Sequence, residues 1–257
     1  MHATSTPSAV TARCTCPSDA AAEADLFVNG QWKSGYSLDT IEKAFVRGSS
    51  EAILTISSDG SNRGVVNHNY IGRTYIPSSS VRATYYLTDD FMGAFEEGDL
   101  RKANWTKQFT ARAPFVYYPN KYKLRVAPQN AEDAEDQILF RLAEVLLIHA
   151  EANAQLNKLP EALSSLNKIR ERAGLLPLSA NLSKEEVLLA VEQERRLELF
   201  SEYGHRWVDL VRTGRADAVL GKHKATTWKS YAQLFPVPEK DIELNPNLTQ
   251  NPGYNAQ

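Results

Sequence analysis

Between Asp136 and Gly214 the sequence carries apolar residues that recur every three or four positions, and this pattern constrains the fold more than any other feature. Such spacing places apolar side chains on one face of an α-helix. The first helix should end near "LNKLP", where Pro160 opens a second helix in the first turn, a position that tolerates proline. Gly174 suits the left-handed residue that follows a helix. Two antiparallel helices joined by a short turn are therefore predicted.

A third helix is predicted to begin at Ser183. Glu186 follows three residues later, which is the spacing of a capping box, in which the two residues satisfy each other's backbone amides. This helix should run to about Tyr203 and end at Gly204. A shorter helix should then end at Gly214.

Small residues suggest how the first two helices pack. Ala150 and Ala162 are spaced like the small residues at which the paired helices of a tetratricopeptide repeat approach closely. No 34-residue period continues downstream.

Upstream, we expect one short strand at Glu51–Ser57 and, across residues 70–122, long loops with one short helix near Thr88–Glu97. The predicted fold is mostly α, with tetratricopeptide-like helix hairpins, long irregular loops and few short strands.

Bulk composition excludes several classes of function. The 257 residues carry a formal net charge of −2, so the chain lacks the basic excess that binds nucleic acid. No apolar run is long enough to span a bilayer, and the N-terminus lacks the apolar region of a signal peptide. Cys14 and Cys16 have no further cysteine or histidine pair to complete a zinc site. We therefore expect neither a metal nor a cofactor.

The stretch from Glu194 to Arg215 is unusually charged, since nine of its twenty-two residues are Glu, Asp or Arg. A glycosidase could use paired carboxylates here. However, the interleaved arginines should lower the carboxylate pKa values, whereas a general acid needs a raised pKa. The stretch is therefore predicted to be a structural ion-pair joint between helices, with Trp207 buried near arginine. Its predicted members are Arg195, Glu198, Glu202, Arg206, Trp207 and Asp209.

Five segments appear in an order that resembles a known family. They are "FRLAEVLLIHAEANAQ" (140–155), "ALSSLNKIRERAG" (162–174), "ERRLELFSEYGHRWVDLVRTG" (194–214), "LFPVP" (234–238) and "NPNLTQNPGY" (245–254). Weaker similarities to the same family are "SEAILTIS" (50–57), "DLR" (99–101) and "KY" (121–122). Together they closely resemble the C-terminal half of the SusD/RagB family of nutrient-binding outer-membrane lipoproteins.

The resemblance implies a domain organisation. Residues 1–34 match the family poorly, and 35–257 form the SusD/RagB-like part. That part comprises an aromatic loop-rich region (70–130), a helical region (136–215) and an extended, proline-punctuated tail (216–257). Family members are longer and begin with a lipoprotein signal and an acylated cysteine, so this chain is expected to be truncated at its N-terminus.

The resemblance also implies a function. SusD-like proteins lie on the surface of the outer membrane of Bacteroidetes-type bacteria. They cap a SusC-like TonB-dependent transporter and capture oligosaccharides, or in some members peptides, without catalysis. The chain is therefore predicted to be a glycan-capture protein and not an enzyme. Two alternatives remain open: a helical-repeat scaffold that binds proteins or peptides, and a glycoside hydrolase.

Ligand contacts are expected in the aromatic region, because residues 70–122 hold twelve of the chain's twenty-four aromatics. Aromatic faces stack on sugar rings, and tyrosine adds a polar tip at low entropic cost. Tyr117, Tyr118 and Tyr122 are expected to be packing residues. The predicted ligand contacts are Tyr70, Tyr75, Tyr85, Tyr86 and Trp105.

Overall fold

Helices form most of the fold, as the apolar periodicity predicted. The computed structural model describes residues 16–29, 35–56, 70–78, 85–111, 113, 115–126 and 135–254. The chain divides into two compact units, Met1–Tyr203 and Gly204–Gln257. The segments of the first unit are α1 (Pro17–Val28), β1 (Ala52–Ile56), α2 (Tyr70–Tyr75), α3 (Asp89–Met92), α4 (Leu100–Trp105), β2 (Thr106–Phe109), β3 (Val116–Pro119), β4 (Gln137–Arg141), α5 (Leu142–Gln155), α6 (Leu159–Arg172) and α7 (Lys184–Glu198).

Helix α5 lies at the centre of the first unit and packs against α1, α6 and α7. The α5–α6 pair is the predicted hairpin. Ala150 and Ala162 are both fully buried, so the small-residue positions do allow the two helices to approach closely. Gly174 follows α6 with φ of 78°, in the left-handed region where glycine is favoured, as predicted.

The capping box at the start of α7 is present. The Ser183 hydroxyl accepts a hydrogen bond from the Glu186 backbone amide, and the Glu186 carboxylate accepts one from the Ser183 amide at 2.7 Å. We expect Ser183→Ala to lower the free energy of unfolding by about 1 kcal/mol, because one amide of the first turn loses its acceptor. Urea unfolding followed by circular dichroism measures this loss. An equal loss in Ser179→Ala, which alters a serine in the preceding loop, would argue against the cap.

Helix α7 ends at Glu198 rather than near Tyr203, and two segments predicted to be helix or loop form strands. Residues Gln137–Arg141 were predicted to start the first long helix, but they form β4, which pairs antiparallel with β1. Strands β2 and β3 form a second antiparallel pair within residues predicted to be loops. Strand β4 pairs with a segment distant in sequence, and such pairing can override local helical periodicity. Strands β2 and β3 lie close in sequence, but each is only four residues long.

The second unit contains shorter elements. They are α8 (His205–Arg212), α9 (Ala216–His223), a 3₁₀ turn (Ser230–Gln233) and α10 (Glu239–Leu244). The tail 216–257 was predicted to be extended, but it contains three of these short elements and folds back within this unit. The Gln250 side chain bonds both backbone polar groups of Val237, and the Tyr254 hydroxyl donates to the Leu234 carbonyl at 2.9 Å.

Candidate functional site

A network of buried charges lies in the first unit, beside the core formed by Phe45, Trp105 and Phe200. Five carboxylates alternate with five cations, and no side chain among them is more than 7% exposed. The carboxylates are Glu51, Asp99, Glu194, Glu198 and Glu202, and the cations are Arg101, Lys121, Arg141, Arg170 and Arg172.

Arg141, the last residue of β4, lies at the centre of this charge network. Its Nε and Nη2 donate to the two carboxylate oxygens of Glu202, each at 2.9 Å. Its Nη1 donates to Glu51 at 3.1 Å and to Glu198 at 2.6 Å. Its Nη2 also donates to the Glu198 carbonyl. One guanidinium therefore joins β4, the residue before β1, and the end of α7.

The other arginines extend the charge network to α4 and α6. Arg101 donates to Glu194 at 2.8 Å and to both oxygens of Asp99. Arg172 donates to Glu51 and Glu198, and Arg170 donates to Glu194. The planar guanidinium fork suits such multiple contacts with carboxylates.

Lys121 completes the charge network from the loop after β3. Its ammonium donates to a Glu202 oxygen and to the Glu198 carbonyl, and lies 4.2 Å from the centre of the Phe200 ring. Burial lowers the pKa of Lys121 to about 8, although the charge of Glu202 opposes this shift. The side chain therefore remains charged at neutral pH.

The carboxylates of the charge network are poorly suited to acid catalysis. Burial acts to raise the pKa values of Glu198 and Glu202, but the surrounding cations outweigh it and hold both pKa values below the ordinary range. Glu51 differs, because burial dominates and raises its pKa. A general acid also needs access to substrate, and all three carboxylates are buried. The arrangement instead fixes helices and strands relative to one another.

These pKa shifts predict acid sensitivity. Glu198 and Glu202 have folded pKa values below the unfolded 4.5, so their stabilising effect is present above that pH and is lost as the pH falls below it. The raised pKa of Glu51 has the opposite effect, because it lowers the free energy of unfolding as the pH rises above 4.5. We expect the free energy of unfolding to fall steeply between pH 4.5 and pH 3, and less steeply in Glu202→Gln. Urea unfolding across this range measures both slopes, with Glu185→Gln, an exposed position on α7, as the control.

The predicted ion-pair joint divides between the two units. Glu198 and Glu202 lie in the charge network, and Arg195 is also buried in the first unit. Arg206, Trp207 and Asp209 lie in the second unit, where the Asp209 carboxylate accepts from Arg212 at 2.7 Å. Trp207 is half-buried rather than buried, and its ring lies 6.1 Å from Trp228 and 6.0 Å from Phe235.

The structure does not support Trp105 as a ligand contact. Its side chain is 1% exposed, and its Nε1 donates to the Ile41 carbonyl at 2.9 Å. Lys121 and Arg172 lie over its ring, at 4.7 and 5.3 Å from the ring centre. The indole is part of the core that surrounds the charge network, so it presents no face to a sugar.

Two of the remaining predicted ligand contacts, Tyr85 and Tyr86, are exposed. We use "tyrosine surface" for Tyr75, Tyr85 and Tyr86. Tyr85 and Tyr86 are 55% and 61% exposed, and the Tyr75 and Tyr85 rings meet edge to face at 5.7 Å. The side chain of Tyr70 lies outside the described residues.

Backbone and side-chain contacts fix the tyrosine surface to the scaffold. The amide of Leu87, directly after Tyr86, donates to the Tyr117 carbonyl of β3 at 2.7 Å. Tyr75 is half-buried at the end of α2 and hydrogen-bonds Ser201, while burial raises its pKa. The Tyr75 hydroxyl therefore keeps its proton at neutral pH. A fixed, exposed pair of rings with phenolic tips is suited to stacking on flat, hydroxyl-rich ligands.

Among the residues that the structure describes, no group of three or more His, Cys, Asp or Glu side chains could hold a metal ion. Within the same residues, no helix is both long and apolar enough to cross a membrane.

Sequence comparison gives consistent matches. A sequence model described as the SusD family matches residues 90–254. The chain is 37% identical to "SusD-like protein P38" of Formosa agariphila over 141 residues, which are 52% of this chain and 27% of that protein. It is 33% identical to "Starch-binding protein SusD" of Bacteroides thetaiotaomicron over 123 residues, which are 45% of this chain and 21% of that protein. The matched residues therefore cover about a fifth to a quarter of these relatives' length.

Structure comparison extends the similarity over most of the chain. A SusD superfamily protein from Parabacteroides distasonis superposes with a TM-score of 0.70 at 25% identity, covering 93% of this chain and 58% of the other. "Surface glycan-binding protein A" from Bacteroides thetaiotaomicron superposes with a TM-score of 0.69 at 19% identity, covering 93% and 60%. Because the sequence identity to the second protein is so low, that similarity shows a shared fold alone.

Proposed function

We propose that this chain, which belongs to the SusD family, captures oligosaccharides at a bacterial cell surface and has no catalytic activity of its own. One relative is named as starch-binding, and that name supports a glycan as the ligand class. Because the chain spans only part of its relatives, the proposal concerns the contribution of this portion to glycan capture.

The tyrosine surface is the observation that carries this proposal. Tyr85 and Tyr86 are more than half exposed, and the Tyr75 ring packs edge to face against Tyr85 at 5.7 Å. The C–H faces of pyranose rings pack against such aromatic faces, while phenolic hydroxyls exchange hydrogen bonds with sugar hydroxyls. Because the segment is fixed to β3, little conformational entropy is lost on binding.

The properties of the charge network support binding without catalysis. Glycoside hydrolysis needs two accessible carboxylates, one of them protonated at the working pH. Glu198 and Glu202 are buried, bonded to cations and have lowered pKa values. They therefore contribute to the stability of the scaffold that holds the tyrosine surface.

The partner and the location are part of the same proposal. The family resemblance supports a surface-exposed position at the outer membrane, where the captured glycan passes to a SusC-like TonB-dependent transporter. If so, the chain should co-elute with a detergent-solubilised SusC-like transporter from the same organism on size-exclusion chromatography. Separate elution at concentrations well above micromolar would count against this partner.

Native gel electrophoresis in gels cast with soluble polysaccharides tests the proposed function. We expect at least one glycan to retard the chain relative to a non-binding reference protein, without release of reducing ends during long incubation. Retardation with continuing release of reducing ends would favour a glycoside hydrolase. A folded chain that no glycan retards, but that binds extended peptides, would favour the peptide-binding scaffold.

A further inference from the structure

A second group of aromatic residues lies in the unit Gly204–Gln257, outside the tyrosine surface. We call Trp207, Trp228 and Phe235 the aromatic cradle. Trp207, on α8, is at its centre, 6.1 Å from Trp228 at an interplanar angle of 70° and 6.0 Å from Phe235 at 46°. The three rings therefore form an angled surface rather than a flat stack.

One hydrogen bond holds the Trp228 ring in place, and another fixes the backbone at Phe235. Trp228 Nε1 donates to Asp217 Oδ1 at 2.8 Å, and the backbone carbonyl of Phe235 accepts from the Asn251 side chain at 2.7 Å. The amide of Gln233 donates to the other Asp217 oxygen at 3.2 Å. Rings that are already fixed lose little freedom when a ligand stacks on them.

The aromatic cradle is exposed where a ligand would approach. Phe235 is 74% exposed, which is high for a large apolar side chain next to the Trp207 indole. Trp207 and Trp228 are half-buried, so part of each ring remains accessible.

The Asp217 carboxylate lies beside the rings and can accept hydrogen bonds from a ligand. Hydrogen bonds from Trp228, Ser230 and Gln233 lower the pKa of the exposed Asp217 carboxyl, which is therefore ionised at neutral pH. A carboxylate has about four acceptor positions, so at least one remains for a ligand hydroxyl. Aromatic faces beside an ionised carboxylate and an amide match the C–H faces and hydroxyls of a sugar.

We propose that the aromatic cradle, with Asp217 and Gln233, is a second glycan-binding site that takes one or two pyranose residues of a neutral oligosaccharide. This inference rests on the proposed function, because it assumes that the protein's ligand is a glycan. It assigns part of the binding to a unit separate from the one that carries the tyrosine surface.

Replacing Phe235 tests this site, with tryptophan emission as the readout. The intact chain is titrated with maltoheptaose, cellohexaose and laminarihexaose, and calorimetry is run on the same samples. Phe235→Leu keeps the apolar volume but removes the aromatic face. We expect it to lower the association constant from emission at least tenfold. Leu244→Ala, which truncates another exposed apolar side chain of this unit, should leave that constant within twofold.

The outcomes separate this inference from the proposed function. Calorimetric binding that Phe235→Leu leaves unchanged would overturn the second site and leave glycan capture standing. Absence of binding to the intact chain by both methods would overturn both. Since leucine preserves packing, a normal thermal melt of the variant together with lost binding would exclude a purely structural role for Phe235.

Discussion

Replacing Arg141 by alanine should lower the free energy of unfolding by about 3–5 kcal/mol, the range for breaking a buried ion pair by removing one partner. Arg141 is 1% exposed and donates to Glu51, Glu198 and Glu202. Without it, these carboxylates lose their shared counter-ion while remaining out of water. The cost of an unpaired buried charge exceeds the ordinary value of a hydrogen bond.

Urea unfolding at pH 7, followed by circular dichroism, measures this loss. The matched control is Arg196→Ala, because Arg196 pairs with Asp90 at 2.6 Å but the Asp90 side chain is 51% exposed. Exposed pairs contribute about 0–1 kcal/mol. Losses of similar size in both variants would contradict the role given to the charge network. If Arg141→Ala is already unfolded without urea, that result also agrees with the prediction.

The double variant Tyr85→Ala/Tyr86→Ala should weaken glycan binding roughly 30-fold, which corresponds to about 2 kcal/mol, the lower bound of a binding hot spot. Both rings are more than half exposed, so their removal should change the stability far less than the affinity. Fluorescence-detected thermophoresis with the glycan that binds most tightly gives the two dissociation constants.

Two further variants separate the aromatic ring from other effects. Tyr85→Phe/Tyr86→Phe keeps both rings and should retain affinity within a few-fold, since stacking is preserved. Leu176→Ala truncates an apolar side chain that is 82% exposed elsewhere in the first unit, and it should bind normally. If the alanine and phenylalanine double variants bind equally well, the tyrosine surface is not the glycan site.

Local patterns were sufficient to predict the helical part of the fold. The α5–α6 hairpin, the capping box at Ser183 and the left-handed Gly174 depend on residues close in sequence, and all three are present. The pairing of β1 with β4 joins residues about 85 positions apart, and no local pattern predicts it. Strands β2 and β3 lie close in sequence, but each covers only four residues and neither alternates buried and exposed positions, so no period-2 pattern predicts them.

The charge network shows both the value and the limit of sequence reasoning. Glu198 and Glu202 were identified from the charged stretch, but their partners come from other segments, such as Arg101, 97 residues away from Glu198. The sequence did contain a signal for these partner residues. The segments "SEAILTIS", "DLR", "KY", "FRLAEV" and "NKIRERAG" each contribute at least one charge to the network. These short resemblances therefore mark the residues that hold the fold together.

Isothermal titration calorimetry of the purified chain against a panel of soluble glycans tests the central claim, capture without catalysis, most directly. We predict a saturable heat with at least one glycan and no continuing heat after saturation. The same glycan should bind Tyr85→Ala/Tyr86→Ala roughly 30-fold more weakly than it binds the wild-type chain. Sustained heat flow would mean turnover, and a folded wild-type chain that gives no heat with any glycan would contradict glycan capture by this part of the protein.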